Sequence, residues 1–196
     1  PDTILGQIRA LLLLGRFNDV AAVAAAARAA GTSEWQILGL EGFASLGLGD
    51  SQRATKQFER SLKLERASID ALRGLAEVAI RRGALDAARV LLDRAAASRT
   101  PTGARVLLER GELRIQLGDS AGALDDFRAV LAISGDIPRA QMGTARALLA
   151  LRRATEAKDS LAAFRALVGT SATLEYNSAV AEMLLEHRDE AQARLH

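Results

Sequence analysis

Residues 38–62 read LGLEGFASLGLGDSQRATKQFERSL. Leu38, Gly42 and Leu46 stand four apart in this stretch, and Ala54, Phe58 and Leu62 repeat the interval. At 3.6 residues per turn, each set falls on one face of a helix. Gly49-Asp50-Ser51 lies between the two sets. Glycine accepts the left-handed conformation that a helix C-terminus often needs. Asp-Ser offers side-chain oxygens to the first amides of a following helix. The stretch predicts two helices joined by a tight turn. The small residue Gly42 faces the small residue Ala54, so the helices approach closely, and neither can bury its apolar stripe alone.

The same pattern extends in both directions. Gly15, Gly49, Gly83 and Gly118 lie 34, 34 and 35 residues apart. Five residues after each comes Val20, Ala54, Ala88 or Ala123, and this ladder continues as Ala157 and Ala191. Ala24, Phe58, Leu92, Phe127, Leu161 and Leu195 follow four residues later. Seven residues before the glycines, the series runs Ile8, Gly42, Ala76, Gly111, Ala145 and Ala179. The units are 1–34, 35–68, 69–102, 104–137, 138–171 and an incomplete 172–196, with Gly103 as one extra residue. A further alternation runs through them. Position 6 is glycine in units one, three and five (Gly6, Gly74, Gly143), and position 8 in units two and four (Gly42, Gly111). Units two and four also share Leu-Gly-Asp-Ser, which points to duplication of a pair of repeats. Stacked hairpins of this kind form one continuous core and are read by their surfaces.

The chain resembles the tetratricopeptide repeat family, whose 34-residue helix–turn–helix unit has a bulky residue at position 4, small residues at 8 and 20 and an aromatic at 24. Position 4 here is Ile4, Leu38, Leu72, Leu107, Gln141 and Glu175; position 12 is Leu12, Leu46, Ile80, Ile115, Leu149 and Met183. Three departures stand out: no unit has proline at 32, only two have the aromatic at 24, and none has tyrosine at 11. The resemblance covers the whole chain and implies an all-α, right-handed superhelix, an α-solenoid.

Composition narrows the function classes. The 196 residues are 49% hydrophobic, enough for a substantial core, and no Pro/Gly/Ser-rich linker divides them. Only Ser98–Gly103 reads as a longer turn, at a repeat junction, so one elongated domain is expected. The absence of cysteine excludes disulfides, thiol catalysis and cysteine–zinc sites. It is compatible with bacterial cytoplasm and periplasm alike. The longest apolar runs are too short to span a bilayer, and no signal peptide is present, although a chain starting at Pro1 reads as a fragment or a processed product. Arginine outnumbers lysine 23 to 3, the bias of a high-GC bacterial gene. Net charge runs 0, +1, +2, −2, +4 and −3 over the six units, so no single-sign field collects nucleic acid. Aromatic residues, at 4%, are too few for base stacking.

No catalytic motif, metal site or cofactor motif is found. His187 and His196 are nine apart, where a helical metal pair needs three or four. Asp125-Asp126 and Asp189-Glu190 are adjacent pairs that do not share a helix face, and they read as exposed second-helix residues. Gly39, Gly42, Gly47 and Gly49 are spaced for packing and not for a phosphate loop, since no strand precedes them.

The candidate functional surface comes from the resemblance. In tetratricopeptide arrays the first helices line a concave groove through positions 2, 5, 9 and 13. In the third unit this stripe is Asp70, Arg73, Glu77 and Arg81; in the fourth, Arg105, Leu108, Glu112 and Gln116; in the fifth, Arg139, Met142, Arg146 and Ala150. Mixed charge with apolar spots at Leu108 and Met142 suits an extended peptide. The competing reading is a solvated face of i,i+4 salt bridges such as Arg73–Glu77–Arg81. The chaperone-binding lysine/arginine/asparagine clamp of the family is not matched, because no first helix carries lysine.

The expectation is a non-catalytic bacterial scaffold with a protein or peptide partner. The alternative is a periplasmic segment of an exopolysaccharide-secretion or pilus-assembly protein, on analogy with systems that contain long arrays. The sixth unit keeps Ala179, Met183 and Leu184. This end is expected to be uncapped, continuing past His196 or packing on another molecule, self-association included.

Overall fold

The computed structural model describes residues 3–96 and 101–193, with the backbone alone at 101, 102 and 188–193. The chain divides into two compact units, residues 1–97 and 98–196. The division falls between Ala97 and Ser98, at the edge of Ser98–Gly103, in a sequence that otherwise reads as a single array.

The first unit contains α1 (Ile4–Leu13), a 3-10 turn (Phe17–Asp19), α2 (Val20–Ala29), α3 (Glu34–Gly47), α4 (Ser51–Leu64), α5 (Ile69–Arg81) and α6 (Leu85–Ala95). The second contains α7 (Pro101–Gln116), α8 (Ser120–Ser134), α9 (Pro138–Ala150), α10 (Ala154–Val168) and α11 (Ala172–Ala193). No strand is present among the described residues. Consecutive helices pair as hairpins, and within a unit each hairpin stacks on the next, α4 and α3 on α5 in the first, α8 and α7 on α9 in the second. The fold is an all-α array of helix–turn–helix repeats, of the α-solenoid class.

Turn chemistry explains where first helices stop. Gly49 has φ +82°; its N–H donates to Leu46 O and that of Asp50 to Ser45 O, the two bonds of a Schellman cap. The pattern recurs after α1, α5, α7 and α9. After α9 the left-handed residue is Arg152, at φ 60°. Asp50 and Asp119 then cap the second helices, accepting from the amides of Arg53 and Gly122 at 2.9 Å.

The core repeats one size rule. Positions 8 and 24 of successive hairpins carry Ile8 and Ala24, Gly42 and Phe58, Ala76 and Leu92, Gly111 and Phe127, Ala145 and Leu161. All are buried, and bulk on one helix answers smallness on the other. The alternating glycines have the same cause. A Cβ on Gly42 or Gly74 would lie 2.3 or 2.0 Å from the Phe58 ring, and one on Gly111 or Gly143 2.8 or 2.6 Å from that of Phe127. Each ring is thus held between two glycines, one from its own hairpin and one from the next. Ala88 and Ala123, expected at the helix crossings, are fully buried.

The sixth repeat departs from expectation. The sequence ladder places a short second helix around Ala191 and Leu195, whereas α11 runs unbroken from Ala172 to Ala193, and Leu195 lies outside the described residues. The position that is glycine or Arg152 in earlier units is Glu186 here, and the helix passes straight through it. Leu174, Asn177 and Ala181 are buried, while Ala179 and Met183 face solvent.

Candidate partner-binding surface

In the first unit the stripe on α5 is largely paired with its own protein. The Asp70 carboxylate accepts from Arg9 at 3.3 Å and Arg73 at 3.4 Å. Arg73 is 4% exposed, and its guanidinium lies over the Phe43 ring of α3, 5.0 Å from the centroid. Arg81 donates to Glu77 and, at 3.3 Å, to the Leu46 carbonyl. Arg73 is therefore a structural cation and not an open groove contact. Desolvation of a guanidinium is offset here by the ring face and the carboxylate. Arg9 and Phe43, which complete this cluster, escaped the sequence reading because their partners sit on other helices.

In the second unit α7 and α9 lie side by side. Glu112 accepts a two-pronged hydrogen bond from Arg139, across the two helices. This bond raises the Arg139 pKa above its ordinary value, against the opposing effect of desolvation, so the guanidinium stays charged throughout. Arg105 reaches Glu109 at 3.4 Å. Arg146 and Gln116 are exposed and have no hydrogen-bond or ion-pair partner among the described residues. Leu108 and Met142, read as apolar spots for a ligand, are each only 9% exposed. Met142 is covered by α11, where Asn177 Nδ2 approaches its sulfur at 3.6 Å. Position 5 is thus turned into the stack on α5, α7 and α9, and the accessible stripe is narrower than the sequence implied.

The acidic pairs also divide. Asp125 is exposed as expected, but Asp126 is 3% exposed. Its carboxylate accepts two hydrogen bonds from Arg110 and one, at 2.9 Å, from Arg114, whose guanidinium also reaches the Gly122 carbonyl. This cluster ties α7 to α8 and is structural. His187 is exposed on α11, and His196 lies outside the described residues. No group of three or more His, Cys, Asp or Glu able to hold a metal ion is present among the described residues. None of the described helices is long and apolar enough to cross a membrane.

Residues 45–113, which run from the end of α3 to near the end of α7, match the family model described as tetratricopeptide repeat. Within this segment the chain carries the tetratricopeptide repeat. Solved structures extend the likeness in fold. One, from the functional characterization of Pseudomonas aeruginosa pilF, superposes with a TM-score of 0.79 at 16% identity, over 98% of this chain and 87% of that one. YrrB, described as a tetratricopeptide protein with an unusual peptide-binding site, gives 0.69 at 17% identity over 79% of each chain. The APC/C hetero-tetramer Cut9-Hcn1 gives 0.76 at 16% identity, over 91% of this chain and 35% of that one. No curated protein sequence matches this chain. The tetratricopeptide fold is one commonly used for protein interaction, with proteins or peptides as partners.

Proposed function

We propose that this tetratricopeptide protein is a non-catalytic scaffold that binds an extended peptide or protein segment along its first helices, with the accessible polar residues of α7 and α9 as its main contacts in the second unit. The observation that carries this reading is Arg146. Glu112, at position 9 of α7, is neutralised by Arg139, at position 2 of α9. Arg146 holds the same position 9 on α9, but position 2 of the next first helix is Thr173, which has no charge to offer. The stripe therefore keeps one guanidinium ready for a carboxylate or backbone carbonyl from outside, with the Gln116 amide on α7. In the first unit, Asp70, Glu77 and Arg81 supply the corresponding polar edge around the buried Arg73. The peptide-binding site named for YrrB supports this choice by analogy of fold.

The test begins with a pull-down and mass spectrometry to identify a partner. Arg146→Glu, and separately Arg105→Glu with Arg139→Glu, should then weaken its binding while circular dichroism stays unchanged. A partner that binds all these variants as tightly as the parent overturns the reading for that partner. The second reading, a segment of an exopolysaccharide-secretion or pilus-assembly protein, draws only on likeness of fold, including that to the pilF structure. The full-length reading frame separates the two: a signal peptide and a long barrel-like region favour the second.

A further inference from the structure

The outward face of α11 is built like the inside of a hairpin. In the five preceding hairpins, positions 8 and 12 of the first helix lie under a second helix. On α11 these positions are Ala179 and Met183, and they are exposed, Met183 by 49%. Ala172 and Tyr176, the latter 70% exposed, continue the line at intervals of four and three, so all four share one face. Glu182 and Glu186 flank it, and neither carboxylate has a hydrogen-bond or ion-pair partner among the described residues. A cleft of about 180 Å³ between α10 and α11 opens on the Glu182 side, walled by Lys158, Ala162, Arg165, Ser178 and Glu182.

The other hairpins specify what fits. By the rule at positions 8 and 24, a first helix with alanine, like Ala76 or Ala145, faces a second helix with leucine, Leu92 or Leu161. Positions 11 and 23 are also coupled. Ser45 donates to Gln57 at 2.7 Å in one hairpin, and Arg114 to Asp126 at 2.9 Å in another. Position 11 on α11 is Glu182, which inverts the polarity of the second pair and calls for a cation immediately before the leucine.

We propose that this face docks an amphipathic helix of a basic partner, antiparallel to α11, which sets a leucine on Ala179 and the arginine or lysine before it on Glu182. A second copy of this chain using the same face would bring Glu182 and Glu186 against their own copies, which like-charge repulsion disfavours. The proposal is independent of the stripe on α7 and α9.

The probe is a fluorescein-labelled, helix-stapled peptide with the α10 sequence, residues 154–168, carrying Ser160→Arg so that arginine precedes Leu161. Fluorescence anisotropy with the full chain should show saturable binding. Glu182→Lys should weaken it roughly tenfold, and a peptide carrying Ser160→Asp instead should recover it on that variant. Ala179→Ile should likewise weaken binding, and Leu161→Ala in the peptide should restore it, as Ile8 accompanies Ala24. Arg146→Glu should leave binding unchanged, which separates this face from the stripe. No binding, or binding that ignores Glu182→Lys, overturns the proposal. So does binding only by a chain shortened to end at Glu186, which would assign the face to the protein's own residues 187–196. A dimer in sedimentation that the peptide cannot dissociate would assign it to a second copy and overturn the proposal equally.

Discussion

Gly74 is the floor against which the Phe58 ring lies: a Cβ on Gly74 would stand 2.0 Å from the ring, with Gly42 closing on the same ring from its own hairpin. Two effects of Gly74→Ala compete. Alanine in a helix interior gains about 1 kcal/mol over glycine. Overpacking a tight core costs about 1–3 kcal/mol. The contact is far below van der Waals distance and the ring is confined on both sides, so the clash wins. Urea denaturation should show Gly74→Ala net destabilised by about 1–2 kcal/mol, and Phe58→Leu in that background should recover part of the loss. A raised midpoint for Gly74→Ala alone would contradict the packing described.

The repeat period, helix pairing, turn glycines and Asp caps were all legible in the sequence, because each is a local rule applied at a fixed offset. The alternation of Gly42 and Gly111 with Gly74 and Gly143 was visible too, but read as duplication; its cause is two rings inserted across helices. What periodicity along one helix cannot show is which neighbour covers a face. Periodicity therefore puts Arg73, Leu108 and Met142 on the groove stripe, whereas Phe43 lies against the first and Asn177 covers the last. For the same reason it cannot tell Asp126 from Asp125.

Arg152 holds the position that glycine holds after α1, α3, α5 and α7, with φ 60°. A side chain in the left-handed region costs about 1–2 kcal/mol. Glycine would relieve that strain, but its freer unfolded chain loses about 0.5–1 kcal/mol more backbone entropy on folding. Arg152→Gly should therefore stabilise the second unit by about 0.5–1 kcal/mol, and Arg152→Val should destabilise it, because a β-branched side chain fits this region worst. Thermal midpoints of the two variants moving in the same direction would contradict this account of the turn.

Glu156 accepts hydrogen bonds from Arg153 at 2.6 and 2.7 Å and a longer one from Arg128 at 3.4 Å. Bonding to Arg153 comes first in holding its carboxyl below the usual range; desolvation opposes it, and the charges of Arg153 and Arg128 add to the lowering. A depressed folded value means the contribution is present above the unfolded carboxylate pKa and fades as pH falls through the folded one. The side chains are exposed, so the effect on stability is small and screened by salt. Carboxyl NMR titration should place Glu156 below a free glutamate, and Arg153→Gln should return it most of the way. A value unmoved by Arg153→Gln would rule out that bond as the cause.

Asp126 makes the strongest test of how the second unit is held. It is buried between Arg110 and Arg114, and its oxygens accept three guanidinium hydrogen bonds. Replacing such a cluster wholesale with apolar residues is often neutral, since desolvation consumes most of the attraction. Removing one partner is different, because it leaves uncompensated charge. Asp126→Ala removes the buried carboxylate that Arg110 and Arg114 share, although Arg114 keeps the Gly122 carbonyl and Asp119, and should cost about 3–5 kcal/mol. Asp125→Ala, one residue away on the exposed face, should stay within about 0.5 kcal/mol. Asp126→Asn keeps the shape and one acceptor oxygen, so it should fall between them. Methionine at 110, 114 and 126 together should recover much of what Asp126→Ala loses, if the cost arises from stranded charge and not from a lost attraction. Chemical denaturation of the four variants decides the matter: equal midpoints for Asp125→Ala and Asp126→Ala would mean that the buried cluster contributes nothing to the α7–α8 hairpin.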